Sequence, residues 1–130
     1  MWPEIIIPHY VTRTFIQSHL EYNFVFSFDV AGKSFFGQAN ECYGEPNAYP
    51  VPVRWKGCKT SGYFSDSQYI DICEQIDIAI SRIPNGPPVI VLRKIGEGAS
   101  RMNEFASKSF EYLKQKLNEI CYPNIKIKYE

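Results

Sequence analysis

The chain carries no excess of charge, since 14 basic residues balance 14 acidic ones over 130 positions. With no long-range positive field, little draws it to nucleic acid or to an anionic membrane, and neither is expected as a partner. Histidine is scarce, with only His9 and His19, and the cysteines Cys42, Cys58, Cys73 and Cys121 include no close pair. Zinc sites are built from closely spaced ligands, so no metal is expected, and no cofactor motif is present. Small thiols in a reducing compartment account for the four cysteines better than two disulfides do. There is no HExxH and no Ser-His-Asp spacing. Apolar runs fall far short of the roughly 18 residues of a membrane span. The opening MWPEIIIPHY lacks the basic and apolar regions of a signal peptide. The expectation is a soluble, cytoplasmic protein of one domain, 1–130.

Strand and helix signals alternate along the chain. Glu4 to Ile7 reads as a strand closed by Pro8. Thr12 caps a helical turn to about His19, with Phe15, Ile16 and Leu20 near one side. Phe24 to Phe28 is a buried strand, and Ala31 to Ala39 is a glycine-spaced loop opening a short helix toward Cys42. Tyr49 to Trp55 is extended, and Pro50 and Pro52 place it at a sheet edge. Ser65 or Asp66 caps a helix to about Ile83, on which Ile70, Cys73, Ile76 or Asp77, Ile80 and Ile83 form a stripe. Val89 to Leu92, the most apolar short run, suits a central strand. A helix over Arg101 to Ile120 turns Phe105, Phe110, Leu113, Leu117 and Ile120 inward, and Ile125 to Tyr129 is a final strand. This order predicts an α/β fold in three layers, a mixed and mostly parallel sheet with helices on both faces.

In such sheets ligands bind beyond the carboxyl ends of the strands. Two glycine-containing junctions fall there, Ala31 to Ala39 and Lys94 to Ser100. A helix start offers unpaired N–H groups, and glycine lets a ligand approach the backbone. Gly32 with Gly37, and Gly96 with Gly98, could thus hold the two phosphates of a dinucleotide-like ligand, or could simply make turns. Glu97 has the wrong charge for a phosphate, and Arg93, Lys94 and Arg101 offset it.

The segments FVFSFDVAG, FGQANECYGEPNAYPVPVRW, SGYFSDSQYIDI and IGEGASRMNEFA resemble, in the same order, a family of small uncharacterised proteins of bacteria and tailed phages. Its pattern runs FVFGDN, GGQA, GEPNA, IPTK, YFSD and a GIGTG-like loop. That family in turn resembles a divergent branch of the macro-domain fold, whose members bind ADP-ribose and related NAD-derived nucleotides. The resemblance implies a macro-like architecture and a ligand site at Asp29, Gly32, Gly37, Gln38, Asn40, Arg54, Gly96, Gly98, Ala99 and Ser100. Here the pattern's FGDN is replaced by Phe26-Ser27-Phe28-Asp29, and its first GGQA glycine by Phe36. IPTK becomes Val51-Pro52-Val53-Arg54, while both glycines of the last loop are kept.

Three functions follow as expectations. The first is binding of an ADP-ribose-like nucleotide between the two junctions. The second is a protein-interaction role, for instance a phage factor acting on a host protein in the host cytoplasm, with Phe35, Phe36, Trp55, Tyr63 and Phe64 as loop aromatics. The third is ADP-ribosyl hydrolysis, for which Asp29, Glu41, Glu45 and Glu97 are the candidate bases.

Overall fold

The computed structural model describes residues 4–33, 37–56, 62–121 and 126–130. Among these residues, five strands and five α-helices follow one another as β1 (Glu4–Ile7), α1 (Arg13–Ser18), β2 (Asn23–Asp29), α2 (Gln38–Cys42), β3 (Ala48–Arg54), α3 (Tyr69–Ser81), β4 (Val89–Val91), α4 (Met102–Phe105), α5 (Ser107–Ile120) and β5 (Lys126–Tyr129). Strands β3, β2 and β4 form a parallel sheet in that order, and β1 pairs in parallel with β5. Helices cover both faces of the larger sheet. Phe24, Phe26 and Phe28 of β2 pack on one side with Ile16 of α1 and Ala39 and Cys42 of α2. Val25 packs on the other side with Ile72 and Ile76 of α3 and Leu113 and Leu117 of α5. The alternation is the period-2 geometry of a strand buried on both faces.

Local chemistry explains the elements. Thr12 caps α1, its hydroxyl accepting from the Phe15 amide at 3.1 Å. Ser65 and Gln68 form a reciprocal capping box at the 3₁₀ turn leading into α3. Three expectations need correction. Val89–Val91 is an edge of its sheet, and β2 is the central strand. The inward stripe of α3 is Ile72, Ile76 and Ala79, with Ile83 buried just beyond the helix, while Ile70 is 81% exposed. The segment after Arg101 is two helices rather than one, because Ala106 leaves the helical region (φ −141°, ψ 54°). That break turns Phe105 outward. Leu20 is likewise exposed, while Ile16 alone of its group is fully buried.

The hydrogen-bond pattern of β2 fixes the sheet edge. Odd residues bond toward β4, since the Asn23 amide donates to Pro88 O and the Leu92 amide to Val25 O, both at 2.9 Å. Even residues bond toward β3, starting with Phe24 N–H to Asn47 O at 2.8 Å. Pro50 and Pro52 stand opposite Phe26 and Phe28. The polar backbone groups of residues 49, 51 and 53 therefore face β2, and those of 48, 50 and 52 face away. The two prolines occupy the outward positions, where a missing N–H costs the ladder nothing. The Ala48 amide, also outward, donates to Glu45 O. Among the described residues, no strand pairs with the outer side of β3, and from 48 to 52 that edge presents carbonyl acceptors and no available donor, which blocks regular strand addition. Restoring donors with the pair Pro50→Val and Pro52→Val should leave the monomer folded and raise self-association. Light scattering against concentration checks this, and an unchanged molecular mass would contradict it.

Candidate functional site

At the carboxyl end of β2 the start of the first junction, residues 30–33, is closed by internal hydrogen bonds. The Val30 and Ala31 amides donate to Arg54 O and Trp55 O, and that of Gly32 to Asp29 O, at 2.9 to 3.0 Å. The Lys33 amide donates to Asp29 Oδ1 at 3.0 Å. None of these four N–H groups is left to cradle a phosphate, so the expected amide nest is absent over 30–33. Phe36 and the rest of 34–36 lie outside the described residues. Asp29 is buried, and with Gly32 it lines a hollow of about 350 Å³ that opens along the free edge of β3 toward α3.

The residues of the GQA and GEPNA stretches do structural work on the opposite face. Gln38 meets Val11 twice, its amide donating to Val11 O at 2.5 Å and its carbonyl accepting from Val11 N–H at 2.9 Å. Glu41 accepts from the Arg13 amide at 2.8 Å and from the Tyr10 hydroxyl at 3.2 Å. The Arg13 guanidinium pairs with Glu45 at 2.7 Å and donates to the backbone carbonyls of Asn40 and Tyr43. Asn47, buried, donates to Ile16 O and His19 O at 3.0 Å and so satisfies the open end of α1. These residues clamp α1 and its entry loop onto α2. Gly37 (φ +54°) starts α2 with open space at its Cβ position, and the Asn40 side chain is exposed.

The second junction differs. Lys94 (φ +60°), Gly96 (+80°), Gly98 (+64°) and Arg101 (+50°) are all left-handed within eight residues. Two of the four are not glycine, a strain retained only where the surroundings dictate it. Gly96 is set by packing, since a Cβ there would come within 2.6 Å of the Phe110 ring. Gly98 and Ala99 are exposed, and a Cβ on Gly98 would meet nothing within 4 Å. Ser100 is buried, its hydroxyl donating to Glu97 O at 3.0 Å. Arg54 joins this loop to β3, donating to Lys56 O at 2.8 Å and reaching within 3.5 Å of Ala99 O. Its guanidinium lies 4.5 Å over the Tyr63 ring, Tyr63 meets Phe105 edge-on at 5.2 Å, and Arg101 lies 5.9 Å over Phe105. A row Arg54–Tyr63–Phe105–Arg101 thus borders the turn, and Phe105 is 45% exposed.

The ten expected site residues therefore fall into three places: Asp29 and Gly32 at the hollow, Gly37, Gln38 and Asn40 at α2, and Arg54 with Gly96, Gly98, Ala99 and Ser100 at the second turn. Phe105 was expected to face inward, because a continuous helix hides the break at Ala106, and Arg101 was read only as a basic residue offsetting Glu97. Tyr63 was legible as a loop aromatic. Trp55 packs against the core and Phe64 is fully buried, so neither is a surface anchor. Arg93 is engaged by His9. No cluster of three or more His, Cys, Asp or Glu side chains exists among the described residues, and no described helix is long and apolar enough to cross a membrane.

Two tests follow. Gly96→Ala should cost about 2–4 kcal/mol through overlap with Phe110 and a strained φ, against about 1 kcal/mol for Gly98→Ala. Urea denaturation compares them, and equal losses would contradict the packing role of Gly96. Cys42, Cys73 and Cys121 are free thiols, and Cys58 lies outside the described residues. Burial pushes the Cys42 thiol from 9.0 up to about 12, against a smaller opposing contribution from the Gln38 amide. The folded state holds this proton more tightly than the unfolded one. Its contribution is complete below about pH 9 and is lost as pH rises toward about 12. Melting temperature over that window should fall less steeply in Cys42→Ala than in the native chain, and parallel curves would contradict this.

No curated protein and no solved structure matches the chain. A family model does match, over residues 6–116, which takes in the α1–α2 clamp, the edge strand with its prolines and the second turn. The chain belongs to that family, a family of unknown function (DUF7831).

Proposed function

We propose that the chain binds a small phosphorylated nucleotide of the ADP-ribose type at the carboxyl end of the three-stranded sheet. The observation that carries this reading is the row Arg54–Tyr63–Phe105–Arg101 along the Gly98–Ala99 turn. A half-exposed aromatic ring offers a face for a base, and stacking of that kind contributes about 1–3 kcal/mol. The exposed Arg101 guanidinium at one end suits phosphate oxygens by charge and by its forked donors, while Arg54 at the other end ties the turn to β3. The resemblance to ADP-ribose-binding macro domains agrees with this ligand class and with a site at the carboxyl ends of parallel strands.

The two other readings have less support. Glu41 and Glu45 are held by the Arg13 region, and Asp29 is buried against the Lys33 amide. None of the three is set as a base beside the row, and Glu97, the fourth candidate, is an exposed residue of the second turn. Of the loop aromatics expected to anchor a partner protein, Trp55 and Phe64 belong to the core, and Phe35 and Phe36 lie outside the described residues.

Isothermal titration with ADP-ribose tests the proposal. Binding is expected, weakened about tenfold or more by Phe105→Ala. Arg101→Ala should weaken it too and flatten its salt dependence. Both side chains are exposed, so each variant should fold. No heat of binding with millimolar ADP-ribose or AMP, or affinity unchanged in both variants, overturns it.

A further inference from the structure

Helix α5 begins without a cap of its own. Ala106, the residue before it, has no side-chain oxygen to accept from the first amides of the helix. The Phe110 amide donates to Ala106 O at 2.8 Å, and the Ala106 amide closes α4 by donating to Met102 O at 2.9 Å. Among the described residues, the amides of Ser107, Lys108 and Ser109 have no backbone acceptor. In one unbroken helix over 102–120 they would donate to the carbonyls of Asn103, Glu104 and Phe105. No Gly or Pro in that stretch forbids the unbroken helix. The break is therefore imposed from elsewhere in the fold.

Asp66 imposes it from 42 positions away in the chain. Its Oδ1 accepts from the Lys108 amide at 3.1 Å, and its Oδ2 accepts from the Ser107 hydroxyl at 3.4 Å. A helix normally makes this bond with its own N-cap side chain, and here a full negative charge also meets the positive end of the helix dipole. The turn that carries Asp66 is itself fixed. Ser65 and Gln68 close the capping box around it, and Gln68 Oε1 also accepts from the Trp55 indole at 2.8 Å. Lys108 adds a second tie, its ammonium 4.3 Å over the Tyr69 ring. Just before the turn, Tyr63 bridges to Arg54 and meets the Phe105 ring. One short segment, 63–69, thus holds both sides of the break: Tyr63 the ring before it, and Asp66 the helix after it.

We infer that Asp66 is a positioning residue for the aromatic row: by capping α5 across the fold it selects the broken helix over the continuous one, and the break presents Phe105. The inference rests on the reading of that row as a nucleotide site. The Asp66 carboxylate bonds to Ser107 and Lys108 and not to the four side chains of the row. It acts on the ligand only through the population of the presenting form, so loss of the cap lowers apparent affinity by the fraction that remains competent.

The ¹³Cα shift of Ala106 reads the break directly, and isothermal titration with ADP-ribose reads its consequence. In Asp66→Ala the Ala106 signal should move toward the helical position, and affinity should fall about fivefold, the effect of a lost helix cap. Asp66→Asn keeps an acceptor in place and should retain both native values. Adding Ser107→Pro to Asp66→Ala should restore both, since proline suits the first position of a helix and blocks the continuous one. A general loss of stability would not be recovered by that change. An Ala106 signal unmoved in Asp66→Ala, or a double variant that binds no better than the single one, overturns the inference. Should ADP-ribose not bind the native chain, the nucleotide reading falls, and the Ala106 shift still decides whether Asp66 sets the break.

Discussion

Strand β2 is the constraint on which the rest of the structure depends. Its even residues bond to β3 and its odd residues to β4, while Phe24, Phe26 and Phe28 face one helical layer and Val25 the other. Every direction around the strand is thereby occupied. Slipping its register by one residue would exchange the two buried sets, and the same slip in β3 would turn its proline positions inward, where each would leave a ladder bond unmade. The prolines and the aromatic run thus specify the same arrangement. Beyond Val25↔Val91 the pairing with β4 ends, while β2 continues to Asp29. The second turn rises beside that overhang, and Arg54 reaches it from β3.

The most recognisable residues of the sequence are scaffold. Gln38, Glu41, Glu45 and Asn47 bind α1 and its entry loop, through partners some 27 to 32 positions away in the chain. Gln38, Glu41 and the Asn47 amide serve backbone groups that are costly to leave open, and Glu45 pairs with the Arg13 and Gln17 side chains. The proposed nucleotide site draws instead on plainer residues: a phenylalanine turned outward by a helix break, and two arginines.

Much of the fold was legible. The Thr12 cap, the Ser65 boundary, the edge placement of Pro50 and Pro52 and the strand at Phe24–Phe28 follow from local rules, and the structure keeps each of them. Failures came where local rules are degenerate. The helix at 69–81 has isoleucine at 70, 72, 76, 78 and 80, so two stripes fit one period. Packing against Phe64 and Leu113 selects the one that contains Ile72, a tertiary fact. The break at Ala106 leaves no Gly or Pro in the sequence. Gly96 and Gly98 look alike in the chain, but one accommodates Phe110 and the other faces open space. For the site, the carboxyl-end location and Arg54 were readable, and Phe105 was not.

The central claim is that the carboxyl end of the sheet meets a nucleotide base on the outward face of Phe105. Saturation-transfer NMR in which the Phe105 ring protons are irradiated in the presence of ADP-ribose tests it most directly. Strong transfer to the adenine protons, with weaker transfer to the ribose, is the predicted result. Absence of transfer, or transfer that persists when the irradiated ring belongs to the buried Phe64 instead, would contradict the account.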